Sequence, residues 1–185
     1  MNFVKTAIDG VWIIEPKVIG DTRGYFMESY KQELFEQHIG KINFVQDNES
    51  KSVRGVLRGL HYQLPPFAQS KLVRVISGAV LDVAVDIRKG SSTFGKHIAV
   101  ELNSENKRQL FIPQGFAHGF LVTSQEAVFA YKVDNVYSPQ CERGIRFNDP
   151  AIGINWGMSE SELLLSEKDR NAKMLKEAEV FDENL

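Results

Sequence analysis

The sequence predicts an all-β protein built as an antiparallel sandwich or barrel. From Ile42 onward, short runs that read as strands follow one another at regular spacing. Turn-forming residues, such as Gly78, Lys89–Ser92 and Asn103–Asn106, separate these runs. Strands do not alternate with helices, and the chain contains neither a GxGxxG nor a GxxxxGKS/T phosphate loop. A Rossmann-type nucleotide-binding fold is therefore a poor interpretation.

The N-terminal part is predicted to add a hairpin and one helix. Residues 3–19 alternate around an Asp9-Gly10 turn, which is typical of two short paired strands. A turn cluster follows at Gly20–Gly24. Residues 31–38 carry apolar side chains at helical spacing and predict a short helix, with Gly40 suited to its C-terminal cap.

The remaining elements complete a single predicted domain, residues 1–185, with no linker and no internal repeat. The segment from Ser159 to Ala178, rich in Glu, Lys and Leu, predicts one or two short helices that pack across the barrel. The predicted strands are 42–48, 59–64, 71–77, 79–87, 96–102, 107–112, 116–122, 127–134 and 143–147.

Composition narrows the class of partner and the compartment. The 185 residues are 43% hydrophobic and 25% charged, which suffices for one globular core. A net charge of −2 predicts binding neither to nucleic acid nor to a membrane surface. Cys141 is the only cysteine, which excludes an internal disulfide and a cysteine-type zinc site. Without a signal pattern or an apolar run of ~18 residues, a cytoplasmic location is expected.

Two short runs that are predicted to be neighbouring strands, Gly55–Gln63 and Lys71–Val75, organise the chemistry. Residues two apart on a strand share a face, so His61 is expected to point with Gly59 and Gln63, and Lys71 with Val73. An imidazole and an ammonium group in one pocket suggest proton transfer beside a developing negative charge. The alternative is an ordinary exposed strand that carries surface cations.

The histidines argue against a metal site. His118 ends a PxGxxH pattern that resembles the second half of a cupin metal motif. The first half needs His-x-His followed by Glu, whereas this chain has His61-Tyr62-Gln63 and then Lys71. Two histidines without a third nitrogen or a carboxylate make a poor transition-metal site, so neither metal nor cofactor is predicted. His38 and His97 are interpreted as structural or exposed.

A metal-free pocket with these groups suits deprotonation next to a ketone. His61 could remove a proton from carbon, Lys71 could hold the enolate oxygen, and Tyr131 could return a proton on the other face. All three are needed because a carbon acid ionises poorly in water.

Several segments together resemble the dTDP-4-dehydrorhamnose 3,5-epimerase family: GVLRGLHYQ with KLVRV, DTRGYFME, Gln46-Asp47-Asn48, IPQGFAHGF, AYKVDNVYSP and SEKD. They span residues 21–169 in the expected order. The resemblance implies a double-stranded β-helix, or cupin-like jelly roll, and a homodimer. It also implies cofactor-free epimerisation at C3 and C5 of dTDP-4-dehydro-6-deoxy-D-glucose through enolates, in dTDP-L-rhamnose biosynthesis.

Catalytic roles also follow from the resemblance. His61 would be the base, Asp169 would hold its tautomer, Lys71 would stabilise the enolate at the C4 oxygen, and Tyr131 would be the acid. Judged by their residues alone, Asp169 is a solvated acid at a helix start and Tyr131 a barrel-lining aromatic. Tyr137 is a less favoured donor or a ligand contact.

The resemblance further implies a set of substrate contacts. Arginine suits the diphosphate, because a planar guanidinium meets phosphate oxygens in pairs. The segment with Arg23 and Phe26 would reach the neighbouring subunit's site, which would make dimerisation part of binding. The implied contacts are Arg23, Phe26, Glu28, Gln46, Asn48, Arg58, His118, Tyr137, Glu142 and Lys168.

Other functions stay open at this point. A close alternative epimerises one carbon only, or acts on a related deoxy-keto sugar. A second is a non-catalytic cupin that binds a nucleotide sugar, and a third is a metal-dependent cupin.

Overall fold

A computed structural model describes residues 1–182 and contains two antiparallel sheets that pack face to face. The strands are β1 Asn2–Lys5, β2 Trp12–Glu15, β3 Val18–Asp21, β4 Gly24–Met27, β5 Gln46–Val53, β6 Leu57–Gln63, β7 Lys71–Ser77, β8 Ala79–Asp86, β9 His97–Asn103, β10 Gln109–Ile112, β11 Phe116–Val122, β12 Glu126–Val133 and β13 Glu142–Gly144. One sheet has the order β1-β2-β10-β7-β12-β5 and the other β13-β6-β11-β8-β9, while β3 and β4 form a separate hairpin. The all-β prediction is confirmed.

The main core lies between the two sheets. Val73 and Phe129 come from the six-stranded sheet, and Ala84 and Phe120 come from the five-stranded sheet. The rings of Phe120 and Phe129 stack across the gap with centroids 4.1 Å apart. Alternate residues of each strand thus fill the interior, as the period of two requires.

Two further layers cover the outer faces of the sheets. Helix α1, Gln32–His38, buries Phe35 against Leu72 and Phe111 of the six-stranded sheet. The C-terminal segment packs Trp156, Leu163 and other apolar residues on the outer face of the five-stranded sheet. The predicted N-terminal helix is confirmed within one residue. None of the helices in the described range is long and apolar enough to cross a membrane.

One predicted strand was misplaced. The strand expected at 42–48 begins at Gln46 and runs to Val53. Ile42 and Phe44, which suggested the earlier start, instead pack in the cluster around Phe35. Among the described residues, strand β5 pairs only with β12 and lies at the edge of its sheet, so it forms without an apolar alternation. Most other predicted strand boundaries agree within two residues.

The C-terminal segment is less helical than predicted. Within 159–178, α2 covers only Glu167–Arg170, and the rest has two 3₁₀ turns, Glu160–Glu162 and Leu175–Glu177. Its backbone makes strand-like bridges instead, including Val56 with Leu164 and Ile145 with Lys173. The strand predicted at 143–147 ends at Gly144. Residues 183–185 of the predicted domain lie outside the described range.

Candidate active site

A cavity of about 520 Å³ opens between the two sheets, below the C-terminal segment. Its walls combine aromatic side chains, such as Phe120 and Phe129, with ionisable groups. Seven of the fourteen predicted site residues line it: Asn48, Arg58, His61, Lys71, His118, Tyr131 and Asp169. All four predicted catalytic residues are among these seven.

The two sheets contribute different groups to this cavity. His61 and His118 lie opposite each other on β6 and β11 of the five-stranded sheet. Lys71 and Tyr131 lie on β7 and β12, which are neighbours in the six-stranded sheet. A ligand between the sheets would therefore meet the imidazoles on one wall, and the ammonium and phenol groups on the other.

A break in strand register brings Arg58 and His61 to the same cavity. Strict alternation would put them on opposite faces, but β6 has one extra residue where His118 pairs with His61 and Phe120 with Arg58. The strands touch closely at this point, since a Cβ built on Gly59 would lie 2.6 Å from the Cα of Gly119. Glycine at both positions permits the irregularity. The expected grouping of Gly59 with His61 on one regular strand face is thus too simple.

His61 is held by a carboxylate from the C-terminal segment. Its Nε2 lies 2.5 Å from Oδ1 of Asp169, which is buried. The hydroxyl of Ser166 donates to Oδ2 of Asp169 at 2.8 Å and accepts the Asp169 backbone N–H. Burial acts to raise the pKa of Asp169, but the hydrogen bond and charge of His61, with Ser166, hold it below its usual value. Asp169 is therefore an anion at neutral pH.

A second histidine pair lies deeper. Nε2 of His118 is 3.0 and 3.2 Å from the two carboxylate oxygens of Asp82, which is fully buried on β8. Burial lowers the pKa of His118 in spite of the opposing effect of Asp82. A neutral His118 with its proton on Nε2 satisfies this arrangement.

The opposite wall has a cation and a phenol with shifted acidities. Burial lowers the pKa of Lys71 to about 8, against the nearby charges of Asp82 and Glu142. Burial also raises the pKa of Tyr131, although the charge of Arg58 opposes this. At neutral pH, Lys71 is mostly charged and Tyr131 keeps its proton.

Three further predicted contacts form a cluster beside the cavity. Glu142 pairs with Lys168 and accepts a hydrogen bond from the hydroxyl of Tyr137 at 2.8 Å. Glu142 and Lys168 line a smaller cavity of about 220 Å³, which His61 and Asp169 also border. Gln46 does not line the main cavity, but its side chain donates to Asn48 Oδ1 at 2.7 Å.

The remaining three predicted contacts lie away from the main cavity of this chain. Arg23 and Phe26 belong to the β3–β4 hairpin, where Arg23 pairs with Asp21 and Phe26 is 66% exposed. Glu28 follows this hairpin and is exposed. These residues do not contribute to the site within a single chain.

Three supporting residues were missed from the sequence: Asp82, Ser166 and Ser52. The hydroxyl oxygen of Ser52 accepts hydrogen bonds from both Nε and Nη2 of Arg58, each at 3.1 Å. Asp82 could have been identified from the sequence, because an acid in the apolar run of β8 is costly to bury without a partner. Ser166 could have been identified as the N-cap of the short helix that positions Asp169.

The arrangement is suited to proton transfer at carbon. A carboxylate-held imidazole faces a phenol and a half-buried ammonium group, which provides a base, an acid and a charge for an oxyanion. Within residues 1–182, no group of three or more His, Cys, Asp or Glu side chains is placed to hold a metal ion.

Fold and site together define a cupin-like jelly-roll protein with an acid–base cavity. The sequence profile of the family described as dTDP-4-dehydrorhamnose 3,5-epimerase matches residues 5–177. The chain belongs to this family.

Relatives with high identity cover nearly the whole chain. The dTDP-4-dehydrorhamnose 3,5-epimerase of Shigella flexneri is 58% identical over 182 residues, 98% of this chain and 99% of that protein. A crystal structure of dTDP-6-deoxy-D-glucose-3,5-epimerase from Legionella pneumophila, in complex with dTDP-4-keto-L-rhamnose, superimposes with a TM-score of 0.93 at 51% identity, covering 96% and 94% of the chains. A 3′-monoepimerase from Streptomyces bikiniensis, in complex with dTDP-quinovose, gives a TM-score of 0.87 at 35% identity, covering 94% and 87%.

Proposed function

We propose that this protein is a dTDP-4-dehydrorhamnose 3,5-epimerase. It converts dTDP-4-dehydro-6-deoxy-D-glucose into dTDP-4-dehydro-L-rhamnose, the epimerisation step of dTDP-L-rhamnose biosynthesis, without a metal or cofactor. The observation that carries the proposal is the His61–Asp169 pair, which faces Lys71 and Tyr131 across one cavity.

His61 acts as the base in this mechanism. Because Asp169 accepts at Nε2, the neutral ring carries its proton there and leaves Nδ1 free to take a proton from carbon. The same base serves C3 and C5, since both carbons flank the C4 ketone and form an enolate with the same oxygen. A positioned base contributes ~10²–10⁴-fold in rate.

Lys71 stabilises the charge that this step creates. Its ammonium group faces the C4 oxygen as the enolate forms, inside a cavity between the sheets where charge interactions are stronger than in bulk water. A donor aimed at a developing oxyanion contributes about 3 kcal/mol.

Tyr131 supplies the proton on the opposite face of the sugar. It lies on the sheet that faces His61, so removal and return of the proton on opposite sides inverts the carbon. Its raised pKa keeps the phenol protonated until the enolate forms.

The other predicted contacts bind the nucleotide sugar. Arg58, held by Ser52, presents its guanidinium to the diphosphate. Asn48 and His118 contact the sugar in the cavity, and the neighbouring set of Gln46, Tyr137, Glu142 and Lys168 completes its rim. Removal of the Arg58 guanidinium, by Arg58→Ala, is expected to weaken substrate binding strongly.

The proposal includes a cytoplasmic homodimer. Arg23, Phe26 and Glu28 complete the site of the neighbouring subunit from the β3–β4 hairpin. The exposure of large apolar side chains on this hairpin, including Ile19 and Tyr25, supports a role as a contact surface.

The test is turnover of the keto sugar in deuterated water, with label resolved at each carbon. We expect dTDP-4-dehydro-L-rhamnose that carries deuterium at both C3 and C5. Label at neither carbon, with tight dTDP binding, would instead identify a non-catalytic binder. Activity that is lost on chelation and restored by iron or manganese would identify a metal-dependent enzyme.

A monoepimerase is the second candidate. The Streptomyces bikiniensis 3′-monoepimerase has the same fold as this chain, so the fold is compatible with epimerisation at one carbon only. Label at C3 alone, with C5 unlabelled, would establish it in place of the double epimerase. The higher identity to 3,5-epimerases favours the double reaction.

A further inference from the structure

Two successive epimerisations create a proton imbalance within the site. In each half-reaction, His61 gains a proton from carbon and Tyr131 loses one to the opposite face. Before the second carbon can invert, His61 must release its proton and Tyr131 must recover one. His61 and Tyr131 line the cavity from different sheets. In the proposed reaction the sugar lies between these two walls and separates the groups, so Tyr131 needs a donor on its own wall.

Lys71 is placed as this donor. In the pairing of β7 with β12, Val73 is opposite Tyr131 and Lys71 is opposite Val133. Lys71 and Tyr131 are thus diagonal neighbours that share one sheet face and line the same cavity. Diagonal pairs lie about 7–8 Å apart at the backbone, which long side chains can bridge.

We propose that Lys71 re-protonates Tyr131 between the two half-reactions, in addition to stabilising the enolate. This proposal rests on the proposed epimerase function. An N–H bond of the ammonium group breaks and the O–H bond of the phenol forms, which leaves a neutral amine. The amine then takes a proton from water, and the imidazolium of His61 loses one to water, so one turnover consumes no net proton.

The acidities of the two groups drive this transfer in the required direction. Burial lowers the pKa of Lys71 to about 8 and raises the pKa of Tyr131, so the proton moves from the ammonium group to the phenolate. The other charged or titratable groups near Lys71 or in its cavity are Asp82 on β8, Glu142 on β13, His118 on β11, Arg58 and His61 on β6, Glu49 on β5 and Asp169 on α2. A positioned acid in place of water contributes ~10²–10⁴-fold.

The test separates the charge of Lys71 from its acidity. Lys71→Arg keeps a cation but cannot give up a proton at accessible pH. Enzyme in excess is mixed with the keto sugar in deuterated water, and singly and doubly labelled sugars are followed by rapid quench and mass spectrometry. We expect Lys71→Arg to add the first label but to slow the second, relative to the first, by ~10²-fold or more compared with wild type.

A second arm avoids any misfit of the arginine. Lys71→Ala is expected to exchange neither carbon on its own. Guanidinium, added below denaturing concentration, should restore the first label only, whereas methylamine should restore both labels. Equal restoration of both labels by the two cations would overturn the proposal, as would an unchanged ratio of the two rates in Lys71→Arg.

The wild-type arm keeps the two proposals distinguishable. Two labels in the wild-type product support the double epimerase whatever the Lys71 variants do. If the wild-type enzyme labels one carbon only, the proposed function fails, and the relay fails with it. If the wild type adds both labels and guanidinium rescues both, only the relay fails.

Discussion

Two histidine–aspartate pairs border the same cavity, and their surroundings differ. The side chain of His61 is 30% exposed and meets Asp169 from the C-terminal segment, 108 residues away in sequence. The side chain of His118 is 8% exposed and meets Asp82 from the adjacent strand. The first pair keeps one ring nitrogen accessible from the cavity. The second is enclosed within the sheet.

This difference teaches that a carboxylate beside a histidine does not by itself make a base. Desolvation dominates at His118 and lowers its pKa, so this ring stays neutral and fixed. His61 combines a held tautomer with access to a ligand, which are both needed for proton abstraction. This difference supports the proposed roles, which are catalysis for the His61 pair and ligand positioning for the His118 pair.

The largest expected effect is the loss of activity when the carboxylate that holds His61 is removed. Asp169→Asn should lower kcat ~10²–10⁴-fold, because an amide cannot hold the Nε2–H tautomer of His61 as an anion does. Steady-state turnover of the keto sugar measures this loss. Glu167→Gln, on the same short helix but exposed, is the matched control and should keep wild-type kcat. Equal turnover in Asp169→Asn and Glu167→Gln would refute the assignment.

A smaller effect concerns stability, to which we expect the His118 pair to contribute more than the His61 pair. Asp82→Ala leaves the buried His118 N–H without an acceptor and should lower the free energy of unfolding by about 1–3 kcal/mol. Asp169→Ala should cost less, about 0.5–1.5 kcal/mol, since water in the cavity can reach His61. Urea unfolding at neutral pH measures both. A larger loss in Asp169→Ala would show that the C-terminal segment carries more stability than the buried pair.

The sequence alone identified the centre of the site but not its geometry. Strands β7 and β11 were predicted at their observed bounds, because Gly78 and the Pro-Gln-Gly stretch before Phe116 punctuate them clearly. His61 and Lys71 were expected on neighbouring strands, whereas β6 and β7 belong to different sheets, and the two residues line one cavity because the sheets pack face to face. A rule of strict alternation cannot contain an extra residue, so it could not bring Arg58 to the same side as His61.

Patterns of residues along the chain could not predict contacts between side chains that lie far apart in sequence. Without the family resemblance, Asp169 reads as a solvated acid at a helix start, whereas it is buried against His61. The C-terminal segment owes its path to apolar anchors on the sheet, such as Leu163 and Leu175, rather than to helix propensity. Tertiary packing, rather than local sequence preference, therefore determines the conformation of the C-terminal segment.

The smallest effect concerns the pH windows of the two pairs. Because the pKa of folded His118 lies below its usual value of about 6.5, the unfolded chain binds a proton that the folded chain excludes, and stability falls as pH drops below about 6.5. The lowered pKa of Asp169 acts further down: its stabilisation is complete above about pH 4 and is lost as pH falls through its folded pKa. Urea unfolding between pH 7.5 and 3 should therefore show two pH windows in which the free energy of unfolding falls. The position of each window is expected to within about one pH unit.

Variants assign these windows to their groups. His118→Gln should flatten the upper window and leave the lower one. Asp169→Asn should reduce the lower window, which Asp86 and Glu142 share because their pKa values are also lowered, and should leave the upper one. A wild-type stability that does not change between about pH 7 and 5 would contradict the buried, neutral state of His118.

The most direct test of the account is the transfer of solvent deuterium to the keto sugar by His61→Asn, beside wild type and His118→Asn. We predict label at C3 and C5 with wild type, slower labelling of both carbons with His118→Asn, and none with His61→Asn, although His61→Asn still binds dTDP with unchanged Kd. Labelling by His61→Asn at the wild-type rate would show that another group removes the protons.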